Sequence, residues 1–78
     1  MSKAEKKPLT VAAVELRTWM TVKNKTAEGV GILCGVSENT VMKWRNGYTV
    51  PLDRARLTIE SVTNGAVRPG DWSVRYEG

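Results

Sequence analysis

The segment around Gly35 constrains the fold of this chain more than any other feature. From Thr26 to Trp44 the sequence runs TAEGVGILCGVSENTVMKW, in which two short apolar patterns of helical spacing flank the break Gly35-Val36-Ser37. Glycine adopts the left-handed backbone conformation of a tight interhelical turn at almost no steric cost. Gly31, four positions earlier, is small enough to let the second helix approach closely. The segment therefore predicts two helices joined by a tight turn.

Hydroxyl caps and apolar periodicity predict four helices in all. They cover approximately residues 11–22, 27–34, 38–46 and 52–63. A hydroxyl that can accept a hydrogen bond from a free first-turn amide precedes each of the first three, at Thr10, Thr26 and Ser37. Gly47 ends the third helix. Pro51 suits the first turn of the fourth, and Asn64-Gly65 suits a left-handed end.

One stripe of each predicted helix is apolar and is expected to face the core. The inward residues are Ala12, Leu16, Trp19 and Met20, then Val30, Leu33 and Cys34, then Val36, Val41 and Trp44, and finally Leu52, Ala55, Ile59 and Val62. Each glycine inside the second helix, Gly29 and Gly31, costs about 1 kcal/mol relative to alanine. Close packing explains Gly31, whereas the sequence gives no reason for Gly29.

The C-terminal segment changes to a period of two. Pro69-Gly70 marks a turn, after which Trp72, Val74 and Tyr76 alternate with polar residues, as in a strand over residues 72–77. A lone short strand is unstable, so it is expected to pair with residues 66–67 or with a second subunit. Trp72, Val74 and Tyr76 are accordingly predicted at a dimer interface. The alternative is that the segment folds back onto its own helices, with Trp72 in the core.

These elements predict one mainly α domain over residues 9–78, a compact four-helix unit with a short C-terminal β-strand. Residues 1–8 are predicted to form a flexible basic tail, either solvated or adding contacts to phosphate. A chain of 78 residues has little room for a deep catalytic cleft beside a stable core. It contains no histidine and one cysteine, Cys34, which fits a small core residue. No enzymatic activity, metal, cofactor or small-molecule ligand is therefore expected.

Two further properties concern compartment and partner. No apolar run approaches the roughly 20 residues needed to cross a bilayer, and the basic N-terminus lacks the apolar region of a signal peptide. No membrane association is expected, and a lone cysteine fits a reducing cytoplasm. The 12 Lys and Arg residues outnumber the 8 Asp and Glu residues, giving a pI near 9.6. That balance favours polyanionic partners.

The outward side of the third helix is the candidate binding surface, because it has the size of a DNA major groove. Stepping 100° per residue from Val41 and Trp44 places a set of polar and apolar residues opposite the core. Together with the two residues at the helix start, the predicted base contacts are Ser37, Glu38, Asn39, Met42, Lys43 and Asn46. The alternative is that this is the solvated face of an ordinary helix.

Contacts to the DNA backbone are predicted around that face. The candidates are Lys25, Thr26, Thr40, Arg45 and Tyr48. Thr26 stands where the free amides of a helix N-terminus favour phosphate, and Lys25 precedes it. Arg54 and Arg56 on the fourth helix are either solvated or add to the positive field.

A family resemblance extends this motif. The pattern Gly35-Val36-Ser37…Val41…Trp44…Asn46-Gly47…Pro51…Ile59-Glu60…Thr63…Gly65 resembles the Cro-like (lambda repressor/Cro-like) helix-turn-helix regulators of temperate phages and prophages, including small antitoxin-type relatives. The likeness covers about residues 26–67. This chain departs from the commonest pattern in having Gly31 where alanine is usual, and in the extra Gly29.

The resemblance implies a transcriptional repressor that binds double-stranded operator DNA as a homodimer. It would act on a pseudo-palindromic site in the bacterial host cytoplasm, associated with the nucleoid. A different class of function fits the same fold, namely a protein-interaction module such as an antitoxin or a modulator of another repressor. An apolar groove that remains exposed after dimerisation would favour that second hypothesis.

Overall fold

Hydroxyl caps begin the first three helices, as the sequence predicts. In the computed structural model, which describes residues 9–78, the side chains of Thr10, Thr26 and Ser37 each accept a hydrogen bond from the backbone amide three residues later, at 3.0–3.1 Å. The helices are α1 (Val11–Val22), α2 (Ala27–Cys34), α3 (Glu38–Asn46) and α4 (Asp53–Val62). The four predicted helices are thereby confirmed. The basic tail predicted for residues 1–8 lies outside the described residues.

Left-handed residues follow all four described helices, beginning with Asn24 after α1, whose φ is 55°. Gly35 follows α2 with φ of 76°, and Gly47 follows α3 with φ of 84°. After α4 the chain passes through Asn64 and Gly65, whose φ angles are 55° and 87°. Glycine and asparagine enter this region more readily than other residues, so their positions in the sequence explain where these helices end.

Close approach between α2 and the turn that follows it depends on Gly31. A Cβ added there would lie 2.6 Å from the carbonyl oxygen of Val36. The Val36 amide donates to the Gly31 carbonyl at 2.9 Å, which fixes the turn against the helix. The helices α2 and α3 share the most extensive contact between any two elements of residues 9–78. The packing reason predicted for Gly31 is confirmed.

A single apolar core joins the helices. Its buried members are Ala12, Ala13, Leu16, Met20, Ala27, Val30, Val41, Trp44, Ile59, Val67 and Trp72. Half of the residues predicted to face inward are among them, namely Ala12, Leu16, Met20, Val30, Val41, Trp44 and Ile59. Trp19, Cys34, Val36 and Ala55 are partly buried and pack against it.

Two predicted core residues are exposed. Leu33 is 55% exposed because the positions of α2 that face the core are 27, 30, 31 and 34, and residue 33 lies to one side of them. Leu52 is 81% exposed because α4 begins one residue later than predicted, so Leu52 is the extended capping residue. Pro51, predicted in the first helical turn, precedes that cap and is buried.

The predicted C-terminal strand is wrong. Pro69–Ser73 forms a 3₁₀ helix, and residues 9–78 contain no β-strand, only an isolated antiparallel bridge between Thr10 and Arg75. The Val11 amide donates to the Val74 carbonyl at 2.8 Å, and the Tyr76 amide donates to the Leu9 carbonyl at 2.9 Å. The segment thus folds back on its own chain, where the 3₁₀ helix packs against α1 and α4.

Burial of Trp72 explains this outcome. Its side chain is 2% exposed and is the largest of the fully buried side chains in the described part of the chain. Burying an aromatic side chain of this size contributes more than two ladder hydrogen bonds of an isolated strand. The indole Nε1 donor is enclosed and meets no acceptor within residues 9–78. None of the helices in this range has both the length and the apolar character that a bilayer crossing requires.

Candidate nucleic-acid interface

The helix α3 presents two chemically different sides. Val41 and Trp44 are buried, at 0% and 4% exposure. On the opposite side lie Asn39, Met42 and Lys43, which are exposed, and Asn46, which is half-buried. We call these four residues the outer face of α3. Its position follows from the 100° step of the helix once Val41 and Trp44 are held by the core.

The outer face combines several kinds of chemical group at close spacing. An asparagine amide offers a donor and an acceptor together, the Lys43 ammonium offers donors only, and Met42 offers an apolar contact. Lys43 and Arg45 lie in the last turn of α3, where their charges interact favourably with the helix dipole. Such a face is suited to the edges of base pairs, which display the matching donors, acceptors and thymine methyl group.

The start of α3 is held by two hydroxyl side chains. Ser37 accepts from the Thr40 amide at 3.1 Å, and the hydroxyl oxygens of Ser37 and Thr40 are 2.9 Å apart. Both residues are predicted DNA contacts, and both hydroxyls are already engaged with each other. Ser37 and Glu38 are exposed, whereas Thr40 is half-buried. The negative charge of Glu38 in the first turn interacts favourably with the helix dipole, but it repels phosphate.

The N-terminus of α2 provides a second exposed position. Thr26 and Lys25 are both exposed, and the Thr26 hydroxyl caps the helix through the Gly29 amide at 3.0 Å. The remaining free amides of this terminus attract anions. Glu28, also in the first turn, opposes them. Tyr48 is 42% exposed just beyond the end of α3, and its amide donates to the Lys43 carbonyl.

A cavity rich in positive charge lies where the ends of α1 and α3 meet. It measures about 440 Å³ and is lined by Arg17, Met20, Thr21, Asn24, Lys25, Arg45 and Asn46. Three of these residues are cationic and none is acidic. The Arg17 guanidinium donates to the Arg45 carbonyl at 3.4 Å, which holds Arg17 beside the end of α3. Sequence reasoning missed Arg17, although it named Lys25, Arg45 and Asn46.

The structure separates the three residues predicted at a dimer interface. Trp72 lies in the core of the single chain, while Val74 and Tyr76 are 48% and 43% exposed. The prediction grouped them because they alternate as in a strand. The 3₁₀ helix breaks that alternation, so Trp72 does not share a surface with the other two.

Two titratable groups outside the outer face are perturbed. The pKa of Glu15 is raised from 4.5 to about 7, first by burial and then by the neighbouring Asp71 carboxyl, while the Arg68 charge lowers it. Glu15 Oε1 is enclosed and accepts no hydrogen bond. A proton shared with the Asp71 carboxyl would supply the missing donor. Burial also raises the pKa of the Cys34 thiol. Because the thiolate is the nucleophile, this shift makes Cys34 less reactive.

Comparisons of the chain with models of protein families, with curated proteins and with solved structures gave no significant match.

Proposed function

We propose that this chain is a helix-turn-helix protein that binds double-stranded DNA by inserting α3 into the major groove. The observation that carries the proposal is that one side of α3 is anchored in the core through Val41 and Trp44, while the outer face is largely exposed and carries mostly hydrogen-bonding groups. The turn at Gly35 and the close approach at Gly31 fix how far α3 projects. The motif class uses this arrangement to place a helix against base edges.

Each residue of the proposed base-contacting set has a distinct role. Asn39 or Asn46 bonds adenine in two places, Lys43 donates to guanine, and Met42 packs on a thymine methyl group. Glu38, at the start of α3, accepts from a cytosine amino group. Ser37 lies beside it. Its hydroxyl caps the helix, so its role in this proposal is mainly to hold the helix start.

Backbone contacts flank that set on both sides. Lys25 and Thr26 lie at the start of α2, and Arg45 and Tyr48 lie at the end of α3. The cationic cavity joins Lys25 to Arg45, so a phosphate approaching either residue also meets the charge of Arg17. Contacts of this kind supply affinity and orientation without specifying sequence.

The wider assignment rests on the motif. By resemblance, we infer a Cro-type repressor that binds a pseudo-palindromic operator as a homodimer in the cytoplasm of a bacterial host. One recognition helix covers only a few base pairs, so a symmetric dimer is the usual route to useful specificity. Its half-sites would lie about 34–36 Å apart, one helical turn of DNA.

The primary experiment is selection of bound sequences from random duplex DNA at near-physiological salt. The proposal predicts an enriched pair of related half-sites with the spacing of one helical turn. On the selected site, Asn39→Ala and Lys43→Ala should each weaken binding by about 1–3 kcal/mol, without unfolding, because both side chains are exposed.

A charge-matched control separates base contact from general electrostatics. Arg75→Ala removes one positive charge from an exposed position on the C-terminal segment. It should lower the affinity for specific and nonspecific DNA equally, whereas Lys43→Ala should also reduce the ratio between them. If Asn39→Ala binds the selected site as tightly as the parent chain, the assignment of the outer face is wrong.

A second candidate function has its own supporting observation. Ile32 and Leu33 are adjacent on α2 and are 76% and 55% exposed, so they form a small apolar patch open to solvent. This patch favours a protein-interaction module, such as an antitoxin or a modulator of another repressor. Selection that enriches no DNA sequence, together with affinity that depends on total charge alone, would support this candidate over operator binding.

A further inference from the structure

The cationic cavity adjoins the outer face of α3. Residues of α1, of the connection between α1 and α2, and of the last turn of α3 line it together. Asn46 belongs both to this lining and to the outer face, so a group that occupies the cavity lies beside the proposed base contacts. Arg17 reaches the same cavity from α1 and is exposed.

The lining of the cavity matches a phosphate group. Its charged residues are Arg17, Lys25 and Arg45, and no carboxylate among residues 9–78 lines the cavity to neutralise them. Two asparagine amides in the lining add uncharged donors. At about 440 Å³ the cavity has the size of a small-molecule site, so a phosphate can enter it while still joined to its sugars.

The Arg17 guanidinium is already attached to the end of α3. Its Nη2 atom donates to the Arg45 carbonyl oxygen at 3.4 Å. That carbonyl is one of the four at the end of a helix that have no partner within it. Because a guanidinium has five N–H donors, others stay free for phosphate oxygens. Arg17 can therefore join a bound phosphate to the end of α3 and fix the distance between them.

The dipoles of the two neighbouring helices act on such an anion in opposite directions. The C-terminus of α3 carries partial negative charge and repels a phosphate, whereas the N-terminus of α2, next to Lys25, attracts it. Glu28 in the first turn of α2 reduces this attraction. A phosphate in the cavity therefore depends on the lining cations, and on Arg17 and Arg45 above all, because these two offset the negative end of α3.

We propose that the cationic cavity holds one phosphate of the DNA backbone, and that Arg17 joins this phosphate to the end of α3. The inference deepens the proposed function and rests on it for the presence of duplex DNA. It adds a contact from α1, a helix that the contacts predicted from the sequence do not include. Since a phosphate contact carries no sequence information, its loss should weaken binding to every duplex alike.

The first test compares two variants that each remove one positive charge from an exposed position, Arg17→Ala in the cavity and Arg75→Ala on the C-terminal segment. The affinity of the full chain for one mixed-sequence duplex is measured over a range of salt concentrations. Arg17→Ala should weaken binding severalfold and reduce the slope of log affinity against log salt by about 1, the change expected for one lost phosphate contact. Arg75→Ala should leave the slope nearly unchanged. Arg17→Lys keeps the charge but not the planar fork, so it should keep the slope and recover only part of the affinity. Thermal melting of each variant checks that the fold is retained.

A second test locates the phosphate on the duplex. Each backbone phosphate near the bound chain is replaced in turn by an uncharged methylphosphonate. One position should weaken the parent chain as much as Arg17→Ala does. The same replacement should have no further effect on the Arg17→Ala variant, because both changes remove one shared contact.

Inorganic phosphate tests the other source of this chemistry. It is titrated into the chain without DNA, at constant ionic strength. If Arg17→Ala abolishes binding of inorganic phosphate but leaves the affinity for duplex DNA unchanged, the cavity is a site for a free anion and the proposal is overturned.

The remaining contrary results separate this inference from the proposed function. If the chain binds duplex DNA and the two alanine variants change the salt slope equally, the cavity holds no phosphate, while the proposed function stands. A chain that binds no duplex DNA at all overturns both. Parental affinity in Arg17→Lys would show that charge alone suffices, which overturns the bridging role of the guanidinium.

Discussion

Replacing Gly31 by alanine tests how closely the turn after α2 packs against that helix. The added methyl carbon would lie 2.6 Å from the Val36 carbonyl oxygen, and 3.2 and 3.3 Å from the Ser37 carbonyl carbon and oxygen. All three atoms belong to the backbone of a turn that the left-handed Gly35 fixes. Unlike the end of a flexible side chain, this backbone cannot move aside alone, so α3 must shift with it.

Two opposing effects set the size of the change. Alanine in a helix interior gains about 1 kcal/mol over glycine through helix propensity. Overpacking a well-filled contact costs about 1–3 kcal/mol, and a clash with several backbone atoms belongs at the upper end of that range. The net expectation is a loss of about 1–2 kcal/mol in the free energy of unfolding. For a domain of this size, that corresponds to a fall of roughly 4–16 °C in melting temperature.

Gly29→Ala is the matched control, because it makes the same chemical change in the same helix. Its methyl carbon would meet only the Thr26 Oγ1 atom, at 3.3 Å, which is a side-chain atom. Propensity should therefore dominate, and the variant should be as stable as the parent or up to about 1 kcal/mol more stable. Urea unfolding followed by circular dichroism measures both variants. Equal unfolding midpoints for Gly31→Ala and Gly29→Ala would refute the close-packing argument.

Two further predictions concern the raised pKa of Glu15 and the orientation of α3. Because the pKa of Glu15 is raised from 4.5 to about 7, the folded chain holds a proton that the unfolded chain releases, and stability should fall as pH rises through that window. Glu15→Gln should remove this pH dependence and be about 1–2 kcal/mol more stable than the parent at about pH 8. This gain is smaller than the whole pKa shift would give, because the carboxyl is partly solvated. If the urea midpoints of the variant and the parent change with pH in parallel, the prediction is wrong. Trp44→Ala should cost about 3–5 kcal/mol, whereas Met42→Ala on the outer face should change stability by less than about 1 kcal/mol, and similar melting temperatures for the two would remove the assigned orientation of α3.

Local interactions explain why the helices could be predicted from the sequence. A cap such as Thr10 needs only the amide three residues later, and a left-handed turn needs only Gly35 or Gly47. These causes lie within a few residues of their effects. The predictions for Leu33 and Leu52 were wrong because burial of a single residue depends on where the helix starts and on where the buried stripe is centred. Each of these must be known to within one residue.

In the candidate site too, residues placed by a local pattern could be predicted, whereas residues placed by contacts between distant elements could not. The outer face of α3 could be predicted because its orientation is fixed once Val41 and Trp44 are assigned to the core. Arg17 could not, since its place depends on how the end of α1 crosses the end of α3, which no local pattern encodes. The strand prediction failed for a related reason. Three alternating apolar residues fit a strand locally, but the burial of Trp72 against α1 and α4 decides the conformation.

Backbone hydrogen bonding also argues against pairing of the C-terminal segment with a second copy of the chain. Val74 and Tyr76 already exchange hydrogen bonds with Val11 and Leu9 of the same chain, so this edge of the segment is occupied. Pairing it with a second copy would break those bonds before forming new ones.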